Sequence, residues 1–116
     1  MDVSLLRPLN PNELQVLSRQ FKQALADIYG NLLDRVVLFG SYARGDFRAD
    51  SDVDFLVVIK QNTVQFGTEV DKISIPASQI GLDYTVHVSA KPVSASSYYE
   101  SDSLFYKAVR TEGITI

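Results

Sequence analysis

The chain has no cysteine. That excludes a disulfide framework and a thiolate zinc site, and it agrees with a cytoplasmic setting. Histidine occurs once, at His87; a lone imidazole on an open strand face reads as a surface or packing residue. No apolar run approaches the ~20 residues that a membrane-crossing helix needs, so no membrane association is expected. The start of the chain, Met1-Asp2-Val3-Ser4-Leu5-Leu6-Arg7, lacks the basic n-region of a secretory signal. Excess positive charge is missing too. The 11 Lys and Arg are outnumbered by 14 Asp and Glu, for a net charge of −3. Proteins that grip long nucleic acid need a basic face, so no direct nucleic-acid binding is expected. Internal repeats and low-complexity segments are absent as well.

What is present is enough apolar sequence for one core. Hydrophobic residues make up 46% of the 116 and charged residues 22%. A chain of that length reads as a single domain, 1–116. Its acids are not spread evenly. Asp46, Asp50, Asp52 and Asp54 crowd into one short segment, which leaves the remainder near neutrality. A local acidic cluster in an otherwise neutral domain fits cation binding better than general solubility.

The cluster lies within the stretch that organises the chain, residues 36–59. The apolar run Val36-Val37-Leu38-Phe39 meets Gly40-Ser41, a polar loop follows, and a second apolar run, Phe55 to Ile59, begins directly after Asp54. Both runs read as strands buried on both faces. Gly40 has no Cβ, so its backbone can turn sharply and come close to a ligand. Ser41 opens a short helical turn, whose free N–H groups suit a phosphate. Asp52 and Asp54 are two apart and share one face of an extended strand. Two carboxylates so placed repel unless a cation neutralises them, and a hard, oxygen-loving ion such as Mg²⁺ does so where phosphates are present. Arg44, one turn past Ser41, is placed to touch phosphate or to brace the acidic loop. Asp46 and Asp50 read as turn caps or partners of Arg44, and Arg48 as solvated.

Elsewhere the signals are structural. Asn10 is a good N-cap, Pro11 suits the first helical position and Glu13 stands three after the cap. Leu14, Leu17, Phe21, Leu25 and Ile28 then mark a buried helix face, ended at Gly30. Residues 1–10 read as an arm whose Leu5-Leu6 docks on the core. Residues 63–73 are ambiguous, with a short helix favoured and a break at Pro76. Alternation over Leu82–Ser89 predicts a strand, with Asp83, Thr85, His87 and Ser89 on one face. Residues 89–97 read as a loop. A last helix ends near Thr111 with Leu104, Phe105, Ala108 and Val109 inward, and residues 114–116 return as a short strand. Tyr98, Tyr99 and Tyr106 read as core or as a partner surface.

Gly40-Ser41, ten residues, then Asp52-Val53-Asp54 resembles the signature of the DNA polymerase β-like nucleotidyltransferase superfamily. The longer text, Leu38–Asp46 followed by Ser51–Val58, is similar to the minimal nucleotidyltransferases of bacteria and archaea, small proteins paired with a helical HEPN-domain partner. The resemblance extends loosely from about Glu13 to the C-terminus. It implies an α/β (α+β) fold, a small mixed β-sheet flanked by helices. It implies ATP as substrate, with Gly40, Ser41 and Arg44 binding the nucleotide. It also implies a third carboxylate, which Asp83 matches by chain order, so that Asp52, Asp54 and Asp83 would be the catalytic acids and hold two Mg²⁺ ions. The activity implied is transfer of AMP to a tyrosine hydroxyl of a HEPN toxin, with this chain as antitoxin. Its acceptor site would be completed by the partner or by a second copy. Two other readings stay open: a binding-only antitoxin of the same fold, and a free-standing enzyme acting on a small hydroxyl compound.

Overall fold

The computed structural model describes residues 7–116; the expected docking of Leu5-Leu6 lies outside them. The first element is helix α1, Pro11–Tyr29, and its start is the one its sequence predicts. The Asn10 side chain accepts from the Glu13 N–H at 2.7 Å, and Glu13 accepts from the Asn10 N–H at 3.1 Å. This reciprocal cap satisfies two amides that the helix leaves unpaired, worth about 1 kcal/mol. Leu17, Phe21 and Leu25 are fully buried. At the far end the buried residue is Tyr29, not Ile28, which is 40% exposed. The Tyr29 hydroxyl donates to the buried Glu69 of the third helix at 2.8 Å.

A 3-10 turn, Gly30–Leu32, leads into strand β1, Leu33–Phe39, and the short helix α2, Ser41–Arg44. Strand β2 is Val53–Ile59, helix α3 is Phe66–Tyr84, and strand β3 is Val88–Ser94. Helices α4, Ala95–Glu100, and α5, Leu104–Glu112, precede the short strand β4, Ile114–Thr115. The sheet order is β3-β2-β1-β4. β1 is antiparallel to β2 and β4, while β2 and β3 run parallel, joined through α3. The sheet is therefore mixed, as expected.

Alternation along the strands sends side chains to two different cores. Val36, Leu38, Val53, Phe55, Val57 and Ile59 join α1 and α3 in one cluster. Val37, Leu56, Val58 and Val93 join Tyr98 of α4 and Val109 of α5 in the other.

Four expectations are corrected. Helix α3 does not break at Pro76 but runs through it for 19 residues. Its buried side, Ile73, Ala77 and Ile80, has helical spacing, and that packing outweighs the roughly 3 kcal/mol a mid-helix proline costs. The missing N–H also falls opposite the carbonyl of Lys72, on the exposed side where water can serve. Next, the strand expected over Leu82–Ser89 does not exist as such. Residues up to Tyr84 belong to α3, Thr85 ends it at φ 54°, and β3 starts at Val88. The expected loop over 89–97 is mostly β3 and the start of α4; Pro92 is tolerated because β3 is an edge strand. Finally, α5 buries Val109, whereas Leu104 is 86% exposed and Phe105 is only partly covered.

Candidate active site

β1 ends at Phe39, which pairs with Asp54 of β2. Directly after it, Gly40 adopts φ 75°, ψ −156°, a conformation that only glycine takes without strain. A Cβ built there would lie 2.3 Å from Asp54 Oδ2. Gly40 is thus required twice, for its backbone and for the space that the Asp54 carboxylate fills. Ser41 opens α2, and the chain leaves that turn through Gly45 at φ 91°.

The acidic loop between α2 and β2 is braced at several points. The Tyr42 ring is buried and stacks on Phe47 at 4.5 Å, and its hydroxyl accepts from the Leu9 N–H at 3.0 Å. Ser51 closes a turn, its hydroxyl accepting from the Arg48 N–H at 2.7 Å. Arg44 lies 3.3 Å from Asp46 and 3.8 Å from Glu112. The expected pairing of Arg44 with the loop is present, and Arg48 is exposed.

Asp54 is half-buried between Phe39 on one side and Ser89 on the other. Burial pushes its carboxyl up, and Asp52 pushes it further; His87 and Arg44 pull it down. No described cation pairs with it at salt-bridge distance. The structure therefore brings Gly40, Ser41, Arg44, Asp52 and Asp54 to one end of the sheet.

It does not bring Asp83 there. That residue is on the exposed last turn of α3, and it is not among the charges that act on Asp54. In its place stands His87. Its carbonyl accepts from the Val53 N–H at 2.9 Å, and its Nδ1 lies 3.3 Å from Asp52 Oδ2. Alternation over 82–89 assigns His87 only a packing or surface role, because it sets His87 and Asp83 on one strand that the structure does not contain. Lys91 carries no sequence signal of its own. It shares the strand face of Ser89 and Val93, and its ammonium sits 4.5 Å from the Phe105 ring.

Two hollows flank the acids. A groove of about 740 Å³ runs between the loop and α3, past Asp50, Asp52, Ala77, Leu82, Val86 and His87. A smaller cleft of about 240 Å³ lies on the Gly40 side, walled by Phe39, Arg44, Phe105, Ala108 and Glu112. Among the described residues no three His, Cys, Asp or Glu side chains form a ready-made ion cage. Two neighbouring carboxylates, one of them half-buried without a cation, still fit a hard ion that takes its remaining ligands from phosphate and water.

A mixed sheet with a Gly-Ser turn packed against Asp-x-Asp at its end defines the class: a nucleotidyltransferase. The chain belongs to the nucleotidyltransferase domain family, whose pattern it matches over residues 18–107. Two proteins of Methanocaldococcus jannaschii, both candidate protein adenylyltransferases, are related to it. One is 40% identical over 77 residues, 66% of this chain and 76% of the relative. The other is 33% identical over 91 residues, 78% of this chain and 77% of the relative. Solved structures share the fold. A toxin–antitoxin complex with AMP-PNP matches at a TM-score of 0.56 and 19% identity, covering 92% of this chain and 72% of that one. A candidate nucleotidyltransferase from Sulfolobus solfataricus matches at 0.56 and 17%, covering 92% and 87%. A mutant form of the MntA–HpeT toxin–antitoxin pair matches at 0.51 and 18%, covering 94% and 72%. Among the described residues no helix is long and apolar enough to cross a membrane.

Proposed function

We propose that the protein transfers AMP from ATP to a hydroxyl of a partner protein, a tyrosine of a HEPN toxin, and so acts as that toxin's antitoxin in the cytoplasm. The observation that carries this is the Asp54 carboxylate, half-buried, packed on Gly40 and pushed up first by burial and then by its neighbour Asp52. An anionic pair held against a phosphate-sized turn is costly unless a cation and a nucleotide come together to it. The relatives support protein as acceptor, being candidate protein adenylyltransferases. The shared fold with toxin–antitoxin components supports a toxin as partner.

In this reading Gly40 and Ser41 receive the triphosphate through backbone N–H groups, and Arg44 adds positive charge beside them. Asp52 and Asp54 would hold Mg²⁺, which supplies charge neutralisation for the phosphates and the leaving pyrophosphate. The acceptor hydroxyl oxygen forms a bond to the α-phosphorus. The α–β anhydride bond breaks, pyrophosphate leaves with its electron pair, and the hydroxyl proton passes to solvent at the open sheet end. Positioning supplies much of the rate. The two hollows give donor and acceptor separate approaches: the smaller lies beside Gly40 and Arg44, the larger beside Asp52 and His87. Asp83 takes no part.

The test is α-labelled ATP and Mg²⁺ added to a lysate of the source organism, comparing wild type with Asp54→Asn. A labelled protein that needs Asp54, with the label mapped to tyrosine, is the expected result. Labelled small products and no labelled protein would overturn protein acceptance in favour of a small hydroxyl compound. Neutralisation of the partner's toxicity by Asp54→Asn with no label anywhere would favour a binding-only antitoxin.

A further inference from the structure

We propose that His87 is the third member of the ion-binding group, so that this protein presents two carboxylates and one imidazole where three carboxylates are expected. This rests on the reading that Asp52 and Asp54 hold a nucleotide-borne cation, and it deepens that reading by naming which cation the site prefers.

The placement is set by the backbone. The Val53 N–H to His87 carbonyl bond, 2.9 Å, closes the first β2–β3 pair, Val53 with Val88. It locks the start of β3 beside the residue that separates the two acids. His87 lies two before Ser89 and four before Lys91, so it continues the strand face that Asp54 shares with Leu56 and Val58. Its Nδ1 lies 3.3 Å from Asp52 Oδ2; the three side chains are not a ready-made cage, and a bound ion would draw the imidazole and the two carboxylates together. His87 is also close enough to act electrostatically on Asp54, and Asp83 is not among the groups that do. Four residues earlier, Asp83 is held on α3, and the left-handed Thr85 turns the chain between them. No small adjustment exchanges the two.

The donor set decides the preference. Mg²⁺ is hard and is held by oxygen, with waters and phosphates completing its octahedron. First-row transition ions accept imidazole nitrogen far more readily. An Asp-Asp-His group therefore favours a first-row divalent ion over Mg²⁺, and Mn²⁺ serves as the probe because carboxylate, phosphate and imidazole all bind it.

The experiment uses the full chain, uniformly ¹⁵N-labelled, with Mn²⁺ and an unlabelled non-hydrolysable ATP analogue. Pulsed EPR of the Mn²⁺ reads nitrogen in its coordination shell, and the label separates protein nitrogen from base nitrogen. A directly coordinated ¹⁵N is expected in the wild type and lost in His87→Gln. That side chain is 72% exposed, so the fold should survive, and circular dichroism checks it. In His87→Asp the ¹⁵N signal is again lost, and less Mg²⁺ should suffice to displace half of the Mn²⁺. Mn²⁺ that depends on Asp52 and Asp54 yet shows no ¹⁵N would overturn the role of His87 and leave the metal reading standing. Mn²⁺ binding that is absent, or indifferent to Asp52→Asn and Asp54→Asn, would overturn both.

Discussion

On one face of the sheet, α1 and α3 cover Val36, Leu38, Val53, Phe55, Val57 and Ile59. On the other, α4 and α5 cover Val37, Leu56, Val58 and Val93, then stop short of Asp54 and Ser89. The same strands build both faces, because successive side chains alternate. The difference is the length of the covering helices. α1 and α3 have 19 residues each, against 6 for α4 and 9 for α5. A carboxylate under the thick face would lose its water at a cost of several kcal/mol. At the uncovered end of the thin face it keeps part of that water and stays available. One face therefore carries the stability, and the other carries the chemistry.

Mutations that strike one face at a time test that division. Phe21→Ala empties the middle of the thick face, where the ring packs on Phe55 at 4.9 Å. It should cost about 3–5 kcal/mol in urea unfolding, and any activity that survives should belong to the folded fraction. Asp54→Asn strikes only the open end. Transfer should fall by on the order of 10²–10³ or more in a labelled-ATP assay, with the fold intact.

The same variant should change stability in the opposite sense. Asp54 has a folded-state pKa raised, first by burial and then by Asp52. A raised carboxyl stabilises the fold below the ordinary carboxylate range and loses that contribution as pH rises through its folded value. Removing the charge should therefore raise the urea midpoint at pH 7, and the gain should vanish in acid. A midpoint unchanged at pH 7 would mean that the site does not hold its acids at a cost.

Gly40→Ala joins the two effects, because its Cβ would meet Asp54 and its φ is positive. Roughly 1–3 kcal/mol of strain is expected, with transfer lost in proportion to the displacement of Asp54. Val109→Ala, on the thin face, should cost roughly 1–2 kcal/mol. A loss as large as that of Phe21→Ala would break the comparison, since it would make the two cores equal partners.

Much of the thick face was legible in advance. The cap at Asn10, the spacing of Leu17, Phe21 and Leu25, and the two apolar strands are local signals, and the structure keeps them. The Gly40-Ser41 and Asp52-Asp54 pairs were legible too, because each is a short spacing on an element whose type was clear. The region from 63 to 97 was not. Apolar residues in Ile73-to-Val88 satisfy a helical period as far as Tyr84 and a strand period after Leu82, and the two overlap at Asp83. Pro76 argued for a break that burial overrides, and the serines of β3 and α4 disguised an edge strand as a loop. The position facing the two acids fell in that overlap, so spacing pointed to Asp83 where His87 stands.

Sequence alone determined the class of chemistry: a glycine turn, a serine and two acids one strand-step apart specify their own local geometry through backbone freedom and side-chain alternation. Only the tertiary structure decided which residue faces those acids, because that depends on where α3 ends and β3 begins to pair with β2. A boundary of that kind is set by the packing of Ile73, Ala77 and Ile80 beneath the sheet and by the Val53–His87 hydrogen bond, long-range contacts that no local spacing encodes.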